Sequence, residues 1–285
     1  MGIFISGMYR TAGELLKQAQ KTLETARVGE PLENAELLLA YALGKSRLTL
    51  RAFPDFPVGE NQRLDFSALL ERKAAGEPLA YITGRAAFLE YEFIVSPAVL
   101  VPRPETEQLA RFALDWLNGR AGACDVLDLG AGSGCIACAL ALRAKARVTA
   151  SDISPDALAV AKTNAEALGA AVRFVRSDLF AGITGKFDLI VSNPPYIPSE
   201  ELAGLAPEVR REPACALDGG PDGLELLRRI IGEAPAHLNP GGVLMLETGS
   251  GQRAAIKTMF SAGVWRGLEF LDDFSGFDRY FIARV

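Results

Sequence analysis

Apolar positions recur along this chain first with a helical period and then in short blocks. Leu15, Leu16, Ala19, Leu23 and Ala26 fall on one face of a helix predicted over residues 9–28. Pro31 opens a second helix through Leu37, Leu38, Leu39 and Tyr41 that stops at Gly44. A short helix near Ser46–Phe53 follows, then one over Asn61–Ala75, with Asn61 as N-cap and Gly76 as terminator. Residues Arg85–Val95 alternate and are rich in aromatic and β-branched types, which predicts a hairpin linker. Pro102-Arg103-Pro104 stiffens the lead into a helix reaching about Leu117. From Asp125 the pattern changes to strand–helix alternation. Strands are predicted at Asp125–Leu129, Arg147–Ser151, Val172–Val175, Phe187–Ser192, Gly242–Glu247, Val264–Phe270 and Arg279–Ala283. Helices are predicted at Cys135–Leu142, Pro155–Leu168, Leu224–Leu238 and Gln252–Phe260. Such alternation implies an α/β fold with a mainly parallel sheet covered on both faces. The expected domains are a helical bundle over 1–84, a hairpin linker over 85–97 and a sheet domain over 98–285.

The 285 residues suit about two domains at a prior of ~150 residues each. Hydrophobic residues at 49% and charged residues at 23% exclude a disordered or fibrous chain. The net charge of −5 gives no bulk reason to seek nucleic acid or an anionic membrane. Residues 1–96 carry 11 basic and 12 acidic side chains, so the helical front is better suited to docking protein than duplex. The apolar stretch Leu129–Leu142 contains three glycines and is too short for a bilayer span of ~20 residues. The start Met1-Gly2-Ile3-Phe4-Ile5-Ser6 fits a loose myristoylation pattern but lacks a signal peptide's basic region, and is read as a plain terminus. Cys135-x-x-Cys138 is half of a zinc pattern, yet no second pair exists and His237 is the only histidine. Small cysteines packing a helix against a sheet is the expectation, in a reduced, cytoplasmic, monomeric protein without a structural metal.

Chemistry concentrates after two strands. Asp128-Leu129-Gly130-Ala131-Gly132-Ser133-Gly134 joins the first sheet strand to its helix, where glycines let the backbone turn tightly and approach a ligand. Asp152 closes the second strand, the place from which an acid accepts hydrogen bonds from a nucleotide's ribose. A dinucleotide fold shares these features, but its fingerprint is G-x-G-x-x-G, whereas here the third glycine comes one residue early. Asp128 just before the loop also disfavours a pyrophosphate and suits a cationic ligand such as S-adenosyl-L-methionine.

Asn193-Pro194-Pro195-Tyr196 follows the fourth strand, at the carboxyl edge where α/β sheets place their chemistry. The prolines hold the segment extended. That leaves two acceptors, the Asn193 side-chain oxygen and the Pro194 carbonyl, facing the two donors of a planar NH₂ group. Tyr196 adds an aromatic face for a flat amide or base. Gripping both N–H groups stabilises the positive charge that develops when such a nitrogen attacks an electrophile.

On these motifs the sequence resembles the HemK/PrmC family, protein-(glutamine-N5) methyltransferases acting on class 1 peptide chain release factors. The resemblance spans the helical front, the hairpin and the sheet domain. It rests on Pro102-Arg103-Pro104-Glu105-Thr106-Glu107, the glycine loop, Asn193–Tyr196 and Ala216-Leu217-Asp218-Gly219-Gly220-Pro221-Asp222-Gly223-Leu224. It implies a class I, Rossmann-like methyltransferase fold with a mainly parallel seven-stranded sheet, and a substrate-recognising front domain. It also implies methylation of the glutamine in a Gly-Gly-Gln loop from S-adenosyl-L-methionine, giving S-adenosyl-L-homocysteine. By position, Gly130, Ala131, Gly132, Ser133 and Gly134 hold the methionine part of the cofactor and Asp152 its ribose. Leu179 stands at the adenine, where the family often has an aromatic residue, and contributes apolar packing. Asn193, Pro194, Pro195 and Tyr196 grip the substrate amide, Asn193 also touching the cofactor; Asn193, Pro194 and Tyr196 are the catalytic candidates, and Arg103 and Glu105, in a stretch flanking the active site, are substrate-side candidates for shaping the pocket or docking the factor. Three alternatives stay open: a glutamine methyltransferase of a large-subunit ribosomal protein, an adenine-N6 nucleic-acid methyltransferase, and an idle binding module.

Overall fold

The computed structural model describes residues 11–260 and 263–285. The myristoylation pattern at residues 1–6 and the predicted helix start at residue 9 lie outside them. The described chain forms two compact units, one running up to Gly84 with residues 206–211 added, the other formed by the remainder.

In the first unit, α1 (Ala12–Thr25), α2 (Pro31–Leu43), α3 (Arg47–Ala52), α4 (Glu60–Ala74) and α5 (Leu79–Thr83) surround one apolar core. Thr11 caps α1 with a reciprocal box, its hydroxyl accepting from the Glu14 N–H while the Glu14 carboxylate accepts from the Thr11 N–H. Leu15, Ala19 and Leu23 are fully buried, as their spacing predicts. The helix ends at Thr25, short of Val28, because the backbone turns left-handed at Arg27 (φ 57°). Helix α4 starts at Glu60, not after Asn61: Gly59 takes the cap position and its N–H is satisfied by the Gln62 side chain at 3.1 Å. Two buried charges are paired, Glu36 with Arg47 and Arg51, and Lys73 with Glu208 at 2.8 Å.

The second unit opens with a hairpin, β1 (Arg85–Phe88) and β2 (Tyr91–Ile94), followed by α6 (Pro104–Asn118). Then come β3 (Cys124–Leu129), α7 (Cys135–Arg143), β4 (Ala146–Asp152), α8 (Pro155–Leu168), β5 (Val172–Arg176), β6 (Phe187–Ser192), α9 (Glu225–His237), β7 (Leu238–Glu247), α10 (Arg253–Thr258), β8 (Gly267–Asp272) and β9 (Asp278–Arg284). The sheet order is β5-β4-β3-β6-β7-β9-β8, parallel except for β9, which runs antiparallel to both neighbours. The central strands are apolar on both faces, and alternation sorts their side chains into two cores. Val126, Leu189, Val191, Val243 and Met245 pack under α6 and α7. Leu127, Leu129, Ile190, Leu244 and Leu246 pack under α9.

The hairpin read from sequence as a linker is built into this unit. Phe88 and Phe93 are fully buried in its core, ring edge to ring face at 6.1 Å between centroids. Asn164 of α8, 1% exposed, exchanges hydrogen bonds with both backbone groups of Ile94 and donates to the Ser133 carbonyl. One side chain therefore fastens the hairpin to the glycine loop. Cys135 and Cys138 sit buried in α7, where burial pushes each thiol up to about 12 and keeps it protonated. No described helix is long and apolar enough to cross a membrane.

Candidate active site

Strand order reverses direction at β3, between β4 on one side and β6 on the other, and ligands of open α/β sheets lie at the carboxyl ends of such strands. A cavity of about 510 Å³ opens there, within the size range of small-molecule sites. Its wall includes Gly130, Ala131, Gly132 and Ser133 after β3, Asp152 after β4, and Asn193, Pro194 and Pro195 after β6. Leu179, Arg103 and Thr106 complete the parts used below.

The glycine loop is shaped by backbone bonds. The N–H groups of Gly130 and Ala131 both donate to the Ser151 carbonyl, at 2.8 and 2.9 Å, tying the loop to β4. Gly130, Gly132 and Gly134 all have positive φ, a region that L side chains rarely adopt. A Cβ on Gly130 or Gly132 would meet no protein atom within 4 Å, so ligand space begins at those two residues. Gly134 serves otherwise: it is absent from the cavity wall, and a Cβ there would stand 3.0 Å from that of Ala161. Its role is to let α7 and α8 approach.

Asp152 presents its carboxylate at the cavity wall, held by two backbone donors: Gly132 N–H to Oδ2 and Ser154 N–H to Oδ1, each at 2.9 Å. Each oxygen keeps a free lone pair for a hydroxyl of a ligand. Asp128 does not act as a charged wall. It is 1% exposed and outside the cavity, Oδ2 caps α7 by accepting from Ala137 N–H at 3.0 Å, and Oδ1 has no partner. Burial pushes its carboxyl up to about 7. Leu179 lines the cavity with left-handed backbone (φ 45°), its carbonyl held by the Ser177 hydroxyl at 2.7 Å.

The Asn193–Tyr196 segment leaves β6 as irregular chain and is braced from outside. Ile197 pairs with residues 217–219, its N–H donating to Leu217 and its carbonyl accepting from Gly219. Gln252 donates to the Tyr196 carbonyl at 2.9 Å. The glycines of the 216–224 motif permit this bracing. A Cβ on Gly219 would stand 2.8 Å from the Tyr196 Cα, and one on Gly223 would stand 2.4 Å from the Tyr196 oxygen.

From the cavity wall into the core runs a polar chain that the sequence reading missed. The Asn193 Nδ2 donates to the Thr106 hydroxyl at 2.9 Å, and that hydroxyl donates to Glu247 Oε2 at 2.8 Å. Tyr196 OH donates to Glu247 Oε1 at 3.2 Å. Glu247 is 1% exposed, and burial raises its carboxyl to about 7 against the opposing pull of the Thr106 donor and Arg279. Tyr196 is thus placed away from the expected stacking position: it is not on the cavity wall, and its ring packs with the α9-side core. Arg103 lines the cavity but is ion-paired to the buried Glu212, whose other oxygen accepts from Val101 N–H at 3.1 Å. The Glu105 side chain is not on the cavity wall, and its carbonyl accepts from Tyr280 OH. The available signals were an acid ending the apolar strand Gly242–Leu246, and a threonine inside Pro102–Glu107.

Fold and cavity together define a class I methyltransferase. Residues 106–206 match the family model for the methyltransferase small domain, and residues 14–84 match that for the PrmC N-terminal domain. The chain is 42% identical over 281 residues to a release factor glutamine methyltransferase of Moorella thermoacetica, covering 96% of this chain and 98% of the relative. It is 44% identical over 280 residues to the protein of that name in Cereibacter sphaeroides, again covering 96% and 98%. This chain belongs to the release factor glutamine methyltransferase family. Among solved structures, a Pyrococcus furiosus methyltransferase superposes with TM-score 0.51 at 21% identity, covering 76% of this chain and 98% of that one. The human Mettl16 catalytic domain, solved with an RNA hairpin, superposes with TM-score 0.55 at 16% identity, covering 67% and 74%. Those two likenesses concern the fold.

Proposed function

We propose that this protein methylates the side-chain amide nitrogen (N5) of a glutamine, the one in the Gly-Gly-Gln motif of class 1 release factors, using S-adenosyl-L-methionine. The observation that carries this reading is the rigid Asn193–Pro194 pair on the wall of the cavity that also holds Asp152 and the open glycine loop. Among the described residues no donor is bonded to the Asn193 Oδ1 or the Pro194 carbonyl, so both acceptors are available to a substrate NH₂.

The residues fit the cofactor: the Asp152 carboxylate has lone pairs left for two ribose hydroxyls, Gly130 and Gly132 leave space where side chains would stand, and Leu179 offers an apolar contact to a flat base. When bound, S-adenosyl-L-methionine supplies an electrophilic methyl group on a sulfonium. An amide nitrogen is a poor nucleophile, because its lone pair is delocalised into the carbonyl. Asn193 and Pro194 act on that weakness by orienting the nitrogen and by accepting from N–H groups that grow more acidic as the bond forms. Proximity of well-oriented groups accounts for ~7–11 kcal/mol of such barriers. Nitrogen gains the methyl carbon as that carbon's bond to sulfur breaks, with the thioether S-adenosyl-L-homocysteine as leaving group, and one amide proton passes to water. The helical unit of residues 1–84 is assigned to docking the protein substrate, on the strength of its near-neutral charge.

The test is methyl transfer from labelled cofactor to purified release factor. Wild-type factor should gain one 14-dalton increment on its Gly-Gly-Gln peptide, and the Gln→Ala factor none. Equal labelling of both, or labelling only of a large-subunit ribosomal protein offered alongside, would overturn the assignment.

A further inference from the structure

We propose that Thr106 and Glu247 are positioning residues for this reaction: they fix which way round the Asn193 amide sits, and so make the site an acceptor for a substrate NH₂. The inference rests on the reading that Asn193 grips the substrate amide.

An asparagine amide is nearly symmetric in shape, and its two ends differ only in hydrogen bonding. Turned one way, Asn193 offers the substrate an oxygen; turned the other, it offers an NH₂ that opposes the substrate's own donors. Nothing in the Asn193-Pro194 backbone chooses between the two, because proline restrains φ and ψ but not the side-chain amide.

The choice is made by Thr106 on the wall and Glu247 behind it. An ionised Glu247 is acceptor-only, and both its oxygens take a donor, Oε2 from the Thr106 hydroxyl at 2.8 Å and Oε1 from Tyr196 OH at 3.2 Å. The single hydroxyl proton of Thr106 is thereby committed. Toward Asn193, 2.9 Å away, Thr106 can only accept, so the nitrogen end must face it and Oδ1 must face the cavity. Reversing the amide would set two acceptors against each other or strip a donor from a carboxylate that is 1% exposed. The chain is directional: with Glu247 ionised, a carboxylate in the core dictates a donor–acceptor sense at the wall two hydrogen bonds away. It draws on three separated parts of the chain, α6, the segment leaving β6, and β7, so its members are brought together by the fold rather than by local turn geometry.

The experiment uses the full-length enzyme at pH 8, above the value at which Glu247 ionises, with saturating cofactor and purified release factor. Thr106→Val keeps the shape and removes the hydroxyl. It should lower kcat about 10- to 100-fold, while the Kd for S-adenosyl-L-methionine stays within about twofold, because the change acts on the substrate amide. Thr106→Ser, which restores the hydroxyl, should stay within about threefold of wild type. The decisive comparison is the double variant: Thr106→Val added to Asn193→Ala should cost nothing beyond Asn193→Ala alone, since its effect passes through the Asn193 amide. Should Thr106→Val fold poorly, Glu247→Gln serves instead. Its NH₂ can donate to Thr106, free the hydroxyl proton toward Asn193 and favour the reversed amide, and it should show the same fall in kcat and the same non-additivity. A Thr106→Val enzyme within threefold of wild type, or a double variant slower than Asn193→Ala by the full single effect, overturns the positioning role while leaving the Asn193 reading intact. Full turnover by Asn193→Ala overturns both.

Discussion

Replacing Asp152 by asparagine keeps the shape of the side chain and removes one of its two acceptor oxygens. In the native site Oδ1 and Oδ2 each take a backbone N–H at 2.9 Å, from Ser154 and Gly132. An asparagine satisfies only one of these, and its NH₂ must face the other N–H, donor against donor. The bound cofactor would also exchange a charge-assisted contact at its ribose for a neutral one, and lose an acceptor altogether on the nitrogen side. Hydrogen bonds to a charged group contribute about 1.5–3 kcal/mol each, and an unpaired donor costs about 1–3 kcal/mol. Allowing for water reaching the open side, the affinity loss is about 2–4 kcal/mol, a rise in Kd of roughly 30- to 1000-fold. Asp152→Ala should bind the cofactor no worse than Asp152→Asn, since a small side chain admits water to both N–H groups. Isothermal titration with S-adenosyl-L-homocysteine measures both values. A Kd for Asp152→Asn within threefold of wild type would refute the placement of the ribose, and an alanine variant much weaker than the asparagine one would refute the donor-clash argument.

Three further outcomes are expected. Gly223→Ala, with φ 73° and a Cβ 2.4 Å from the Tyr196 carbonyl, should displace the Asn193–Tyr196 segment and lower kcat about 100-fold, read by single-turnover methylation. Gly134→Ala should cost about 2–5 kcal/mol, from positive φ together with its 3.0 Å approach to Ala161, whereas Gly130→Ala should cost only about 1–2 kcal/mol because open space surrounds it; calorimetric midpoints compare the two. Asp128 has its carboxyl raised to about 7 in the folded chain against an ordinary value of 3.8, so the folded state holds a proton that the unfolded state has released between those values. Its contribution is therefore fully present at low pH and lost as pH rises through 7. Between pH 5 and pH 8 wild type should lose about 2–3 kcal/mol more stability than Asp128→Asn in urea titrations, and parallel curves would contradict this.

The sheet was legible in the sequence because buried parallel strands are apolar on both faces and glycines punctuate them. The glycine loop, Asp152 and Asn193–Pro195 were legible because each lies within a few residues of a strand end, and the fold brings those ends to one cavity. What escaped reading depends on partners far apart in the chain. Thr106 meets Asn193 across 87 positions and Glu247 across 141, and no local pattern announces such a pair. Tyr196 reads as a stacking platform in isolation, and only the buried Glu247 carboxylate shows where its hydroxyl goes. Helix α5 has five residues, too few to display a period, and the Gly59 cap depends on the side chain of Gln62.

The two free oxygens after β6 also count hydrogens. A primary amide brings one N–H for each of them, while the singly methylated amide brings one for two and turns a carbon toward the other. On that reading the product would leave one acceptor without a partner, and so would be held less firmly than the starting glutamine. If the two oxygens grip the substrate amide as proposed, neither a second alkylation nor prolonged occupancy is favoured, and a site built this way would empty itself after each turnover.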